Sequence, residues 1–203
     1  EVIGFGERPE FADISLLGKG TDWQGEIFQS ASMHNHQVNI SGGSDNVKYS
    51  LSAGYLQQEG IAIGSDFERF SARINMDNKI TKWLSTGLRA SVAHTTQNNT
   101  IDSGNIIRTA IEQLPDTPAR NPDGSWGAQA ENMYGTYFSN PVAEALMREN
   151  YNKGMQIYVD FFADVTLWKG LVFRAEYAGN YYYNTAYQYT PSYDYGHYVQ
   201  SST

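Results

Sequence analysis

Residues 47–55 read VKYSLSAGY, and with a period of two they divide into two unlike faces. One face collects Val47, Tyr49, Leu51, Ala53 and Tyr55, and the other collects Lys48, Ser50, Ser52 and Gly54. Successive side chains of a strand point to opposite sides of a sheet. The pattern therefore predicts a strand with one apolar side.

The same alternation recurs along the chain and predicts six strands, which begin near Met33, Val47, Phe67, Trp83, Met155 and Leu171. On the last five, the polar face carries Lys48, Arg69, Arg73, Arg89, Asp160, Asp164, Arg174 and Glu176. The apolar face carries a single charge, Glu68, at a strand end. An Arg or Lys facing lipid near the midplane costs about 2–4 kcal/mol, so lipid would remove charges from one face only.

We therefore predict an all-β fold, an antiparallel transmembrane β-barrel segment of about six strands with long extracellular loops. Unpaired backbone groups are too costly in hydrocarbon for an open sheet, so the strands must belong to a larger closed barrel. The predicted division is an extracellular loop region at 1–31, barrel strands at 32–95, and a long extracellular insertion with short helices at 96–154. Two further barrel strands follow at 155–183, and residues 184–203 begin another extracellular loop.

Short turn signals alternate with a long irregular segment. Asp22 or Thr21 is predicted to cap a short helix from Trp23, and Asn140 followed by Pro141 is predicted to start another. Between them, a helix is predicted whose apolar stripe consists of Ile106, Ile107, Ala110, Ile111 and Leu114. An insertion of this length between strands usually has a function.

Composition excludes several classes of protein. The formal net charge is −8 with no cluster of Lys and Arg, which argues against binding to nucleic acid. With no cysteine, the chain offers neither disulfides nor thiolate metal ligands. Tyrosine is abundant, with 15 residues, and it is favoured where an apolar surface meets water.

Specific sequence blocks resemble consecutive strands of SusC/RagA-type TonB-linked outer-membrane transporters. These blocks are 21–24 (TDWQ), 41–43 (SGG), 54–55 (GY), 58–61 (QEGI), 64–67 (GSDF), 74–79 (INMDNK), 83–84 (WL), 140–143 (NPVA), 163–164 (AD), 169–171 (KGL) and 173–174 (FR). The resemblance extends over residues 20–183 and is most specific from Ser41 to Leu84.

The resemblance implies a 22-stranded barrel with an N-terminal plug, covered by a SusD-like surface lipoprotein. Such pairs import glycans or peptides across the outer membrane of Gram-negative bacteria, and TonB powers them through the plug. The turns at 44–46, 77–82 and 166–170 would then be periplasmic. The sequence shows no plug, TonB box or signal peptide, so we expect an internal fragment of a multi-pass transporter that contacts outer-membrane lipid.

Chemistry at single sites has little support in the sequence. His34 and His36 have a spacing that can bind zinc, but a third ligand is not evident. Asp160, Asp164 and Glu176 could be read as glycosidase carboxylates, although charge compensation between Asp164 and Arg174 explains them better. Asp102, Asp116 and Asp123 lack the spacing of a calcium loop. We expect no enzyme activity, no cofactor and no metal site.

Aromatic residues in the loops are the candidates for contact with a ligand or with the lid protein, since rings stack on sugar faces and loops carry binding residues. They are Trp126, Tyr134, Tyr137, Tyr187, Tyr189 and Tyr193. The competing interpretation is that these rings pack the loops together.

Three functions fit the sequence. The leading hypothesis is part of a TonB-dependent importer of oligomeric nutrients, either oligosaccharides or peptides. The alternative is a soluble or secreted β-rich module that binds carbohydrate or acts as an adhesive surface. A general porin, without lid or TonB, is a third. A soluble module would have to bury Leu51, Ile74, Leu88 and Val159 beneath a second layer.

Overall fold

The computed structural model describes residues 18–99, 106–127, 139–194 and 199–200. Its strands are β1 (Met33–Gly43), β2 (Val47–Glu59), β3 (Ser65–Lys79), β4 (Leu84–Asn99), β5 (Glu149–Trp168), β6 (Leu171–Tyr189), β7 (Tyr193–Asp194) and β8 (Val199–Gln200). Its helices are α1 (Trp23–Ile27), α2 (Ile106–Glu112) and α3 (Pro141–Met147). Among the described residues, no helix has the length and apolarity needed to cross a membrane.

Six strands form one sheet in the order of the sequence, β1-β2-β3-β4-β5-β6, as the alternation predicts. The register brings residues of one kind into line across five strands. One row contains Ile40, Leu51, Ile74, Ala90 and Val159, and the adjacent row on the other face contains Ser41, Ser50, Asn75, Arg89 and Asp160. The sheet therefore has a continuous apolar face and a continuous polar face.

The strands run further than the alternation indicates. We predicted that β4 ends near Thr95 and β5 begins near Met155, but β4 continues to Asn99 and β5 starts at Glu149. Residues 96–99 (TQNN) and most of 149–154 (ENYNKG) are polar on both sides of the strand. A pattern based on hydrophobicity cannot detect such strand ends.

The apolar face has no second layer among the described residues. Leu51 is 45 % exposed and Val159 is 36 % exposed, although both lie in the interior of the sheet. The buried hydrophobic residues are Trp23, Ile27, Ala62, Ile106, Ala110, Val142, Ala143 and Ala145, and Ala62 is the one member next to the sheet strands. This arrangement differs from that of a soluble sandwich, whose inner faces pack against each other.

The strands are joined by connections of unequal length, with the short ones at one end of the sheet. Residues 44–46, 80–83 and 169–170 join β1 to β2, β3 to β4 and β5 to β6. Gly170, with φ 86°, occupies the left-handed region that favours glycine in a tight turn. Residues 60–64 and 100–148 make the alternate connections, so the long insertion leaves β4 and returns to β5 at the strand ends opposite to these turns.

A second unit, separate from the sheet unit, comprises Glu1–Gln29, Thr100–Arg148 and Tyr189–Thr203. Asp22 caps α1 as predicted, and the indole Nε1 of Trp23 donates a hydrogen bond to the carbonyl of Leu114 at 2.9 Å. Helix α2 differs from the prediction. Ile106 and Ala110 are buried, but Ile107 and Ile111 are exposed, because the apolar stripe is wider than the side that the helix buries. The helix ends at Glu112, so Leu114 lies beyond it and is exposed as well.

Asn140 connects the parts of this second unit. Its Oδ1 accepts hydrogen bonds from the amides of Val142 and Ala143, which caps α3 as predicted. Its Nδ2 donates to the carbonyls of Ala119 (2.9 Å) and Gly127 (3.0 Å). With 1 % of its surface exposed, the side chain has every hydrogen-bonding group satisfied inside the protein.

Replacing this amide tests its importance. Asn140→Ala removes the cap and leaves two carbonyls without their donor, which should cost about 2 kcal/mol in local stability. Asn140→Ser keeps a capping oxygen without adding a charge and loses only the donated bonds, so it should cost less. Hydrogen exchange of the Val142 and Ala143 amides in the full-length protein measures both effects. Equal exchange in wild type and Asn140→Ala would contradict this role.

Candidate functional site

Two arginines on the polar face of the sheet form ion pairs with carboxylates. Arg174 on β6 donates from Nε to Oδ1 of Asp164 at 2.7 Å and from a terminal nitrogen to Oδ2 at 2.8 Å. This two-pronged geometry matches the planar guanidinium to the carboxylate. The geometry confirms that Asp164 and Arg174 compensate each other's charge. Both oxygens of the Asp164 carboxylate accept hydrogen bonds from Arg174.

A second pair stands beside the first one. Arg89 donates to Asp77 at 2.8 Å and to the carbonyl of Met76 at 3.2 Å. Between the two arginines lies the ring of Phe162, with the Arg174 guanidinium carbon 4.5 Å and the Arg89 guanidinium carbon 5.3 Å from the ring centroid. Both distances are within the range of cation–π attraction.

Asp77, Phe162 and the Asp164–Arg174 pair border a polar concavity of about 290 Å³ near the tight turns. Lys48 and Lys79 add positive charge to its lining, and Asp45 adds negative charge. The mixture of signs suits a water-filled interior surface, and it lacks the single-sign field of an ion-binding site.

The structure adds no support for a metal site at the histidines or at the loop aspartates. His34 and His36 lie on one side of β1 with parallel rings 6.4 Å apart. Among the described residues, there is no cluster of three or more His, Asp or Glu side chains suited to a metal ion. Asp102 lies outside these residues. The Ser125 hydroxyl and amide bond to Asp123 and hold the pKa of that carboxyl below its usual value.

Trp126, the first of the predicted contact residues, is half-buried in the second unit. The guanidinium carbon of Arg120 lies 3.7 Å from its ring centroid, and the ring packs against buried Ala143. Arg120 also donates to the carbonyl of Gly124 at 3.1 Å, which fixes the guanidinium above the indole. Trp126 therefore has partners within its own unit.

The tyrosines of the predicted set differ in their surroundings. Tyr187 stacks on Tyr151 with ring centroids 4.9 Å apart and remains 41 % exposed, and Tyr189 is 40 % exposed. Tyr193 belongs to β7, and Tyr134 and Tyr137 lie outside the described residues. Contact of this set with a ligand or a lid stays a prediction.

The contact between Phe162 and Gly87 was not predicted from the sequence. Phe162 falls among polar residues, where an aromatic ring gives no periodic signal, and Gly87 was simply one small residue of the polar face. In the structure they lie directly opposite each other on β5 and β4. The signal in the sequence was Phe162 itself, a large apolar residue between Asp160 and Asp164 on the polar face of β5.

Comparisons with known proteins define the class of this chain. No protein-family model matches it. The TonB-dependent receptor P3 of Formosa agariphila is 34 % identical over 162 residues, which are 76 % of this chain and 16 % of that protein. The TonB-dependent receptor SusC of Bacteroides thetaiotaomicron is 32 % identical over 126 residues, 60 % of this chain and 12 % of SusC. The chain thus spans about a sixth or less of these relatives.

The structural comparison agrees with the sequence relatives. The RagAB peptide importer in its open-open state matches with a TM-score of 0.68 and 26 % identity, over 87 % of this chain and 20 % of the importer chain. The six-stranded antiparallel sheet matches a β-barrel segment of TonB-dependent transporters. In sequence and in fold, this chain belongs to the SusC/RagA-type TonB-dependent receptors and spans a segment of them.

The Asp164–Arg174 pair predicts a small loss of stability when it is broken. Because Arg174 is largely exposed, Asp164→Asn should cost less than about 1 kcal/mol. Glu176→Gln is the matched control, since Glu176 makes no ion pair within the described part of the chain. The urea midpoints of the full-length variants in liposomes provide the measurement. Equal midpoints for the two variants would show that the pair contributes nothing.

Proposed function

We propose that this chain forms part of the wall and loops of a TonB-dependent importer in the outer membrane of a Gram-negative bacterium. Its apolar face contacts outer-membrane lipid, and its polar face lines the interior of a barrel that needs more strands than this chain supplies. The segment has no catalytic role, and the energy from TonB acts through a plug elsewhere in the full-length protein.

The observation that carries this proposal is the uncovered apolar face. Leu51 and Val159 are exposed in the interior of a sheet whose other face carries paired charges. Burying a large aliphatic side chain is worth about 1.5–3 kcal/mol, so water would disfavour such a face strongly. Acyl chains accept it without cost, and the ion pairs keep their access to water on the inside.

The topology supports an orientation. Short turns at 44–46, 80–83 and 169–170 share one end of the sheet, and outer-membrane barrels have short periplasmic turns and longer extracellular loops. Residues 100–148 are therefore assigned to the extracellular side. There they are available to the substrate and to a SusD-like surface lipoprotein, the partner that we propose for this transporter.

We propose an oligomeric nutrient as the substrate class. The RagAB structures are those of a peptide importer, which favours a peptide, and a glycan is the other class. Purification of the full-length transporter in mild detergent, with identification of the protein that accompanies it, tests the lipoprotein partner. Retrieval of the transporter alone, under conditions that preserve known complexes of this kind, would count against a lid.

Adjacent residues on opposite faces give a direct test of the membrane assignment. Leu51→Arg places a charge on the apolar face between Ile40 and Ile74 and should cost about 2–4 kcal/mol in bilayer folding. Ser50→Arg, between Ser41 and Asn75 on the polar face, should cost less than about 1 kcal/mol. Urea titration of the full-length barrel in liposomes measures both.

The opposite ranking would overturn the proposal. If Ser50→Arg destabilises the barrel more than Leu51→Arg does, the polar face is the one in contact with lipid. If the chain expressed alone is monomeric and folded without detergent, the soluble binding module takes the place of the importer.

Contact between ligand and the exposed tyrosines at the end of β6 has its own test. Tyr187→Ala should weaken substrate binding about two- to tenfold, the equivalent of about 0.5–1.5 kcal/mol for an aromatic contact. Tyr177→Ala is the control, because this tyrosine of the same strand is 74 % exposed and lies nearer to the turn at 169–170, at the other end of the sheet. Unchanged affinity for Tyr187→Ala in the full-length transporter would remove it from the predicted set.

A further inference from the structure

The separation into an apolar and a polar face does not by itself fix the register between neighbouring strands. A one-residue slip between neighbouring strands exchanges the faces, and contact with lipid would oppose it strongly. A two-residue slip keeps the apolar residues on the apolar side. Lipid does not discriminate against it, so another interaction must select the observed register of β4 and β5.

Phe162 and Gly87 supply such an interaction. The register places them directly opposite each other, and the ring of Phe162 lies over the glycine. A Cβ atom built on Gly87 would overlap Cε1 and Cζ of that ring. Glycine thus leaves room for the ring against the neighbouring strand.

Two arginines also contact the ring that covers the glycine. Arg174 and Arg89 lie near it at 4.5 Å and 5.3 Å, and each guanidinium is in turn bonded to a carboxylate, Asp164 or Asp77. Residues of β3, β4, β5 and β6 therefore hold one ring in place. Any larger residue at position 87 would have to displace the ring from this contact.

A two-residue slip destroys this fit in either direction. In one direction Phe162 faces Arg89, and in the other it faces Ser85, because these residues flank Gly87 on the same face of β4. In both cases the ring meets a side chain, and Gly87 faces a carboxylate, either Asp164 or Asp160.

A similar contact occurs between β1 and β2 on the apolar face. Tyr49 lies opposite Gly42, and a Cβ on Gly42 would stand 2.8 Å from Cζ of the tyrosine ring. Two glycines, on different strand pairs and different faces, each accommodate an aromatic ring from the partner strand.

From these observations we infer that Phe162 and Gly87 form a register-selecting joint, in which the ring of β5 fits the gap of β4 and excludes two-residue slips. Phe162 is a positioning residue of the barrel wall. The joint goes beyond transport itself, and it would act in the same way whatever the barrel imports.

Engineered disulfides can report the register, because this chain contains no cysteine. Ala93 faces Gln156 in the observed register, and a two-residue slip brings it opposite Tyr158 or Gly154. Directly opposed Cα atoms are close enough for a disulfide, and diagonal neighbours are not. Ala93→Cys with Gln156→Cys reports the observed register, and Ala93→Cys with Tyr158→Cys or Gly154→Cys reports the slips.

The joint is tested in the full-length barrel by three changes. Gly87→Val should lower the Ala93–Gln156 cross-link about tenfold, as expected for overpacking, and should raise a slip cross-link. The exchanged pair, Gly87→Phe with Phe162→Gly, restores one ring facing one glycine and should recover most of the cross-link. Gly179→Val is the control, since a Cβ there meets no atom within 4 Å, and it should change nothing.

Two results would overturn the inference. The first is a full Ala93–Gln156 cross-link in Gly87→Val, which shows that the register is set without the joint. The second is failure of the exchanged pair to recover either assembly or the cross-link, which shows that the fit between ring and glycine is not what matters. The Gly179→Val control separates this outcome from a general intolerance of valine in the wall.

Discussion

The pleat of the strands is the constraint on which the rest of this structure depends. Because side chains alternate, one strand can present Leu51 to hydrocarbon and Ser50 to water at neighbouring positions. Hydrogen bonds between strands satisfy the backbone, so neither face needs a packed layer of its own. The absence of a second layer over the described sheet and the pairing of charges on its other face are consequences of this one arrangement.

The two described units are stabilised by different interactions. The unit that contains α1, α2 and α3 buries Trp23, Ile27 and Ala143, and uses the satisfied amide of Asn140 as an internal connection. The sheet unit has hardly any buried apolar side chain among its described residues. Its order comes from backbone ladders and from side-chain groups such as Phe162 with its two arginines. Structure without a hydrophobic core is possible where the solvent itself is apolar.

Much of the fold could be predicted from the sequence, because alternation is a local signal. The six strands, the cap at Asn140 and the compensation of Asp164 by Arg174 all follow from residues close in the chain or in a hairpin. The polar ends of β4 and β5 could not be predicted, since 96–99 has no apolar side. The exposure of Ile107 and Ile111 depends on what packs beside α2, and the fit of Phe162 on Gly87 depends on register. Both are tertiary facts.

The unequal connections also have a consequence for the order in which the sheet assembles. Strands β5 and β6 meet through residues 169–170, whereas β4 meets β5 only after residues 100–148 have been looped out. The entropy lost on closing a chain rises with the length of the loop, and long-range pairing slows folding. Hairpins therefore form first, and the β4–β5 seam closes late. The long connection between β4 and β5 thus delays completion of the sheet.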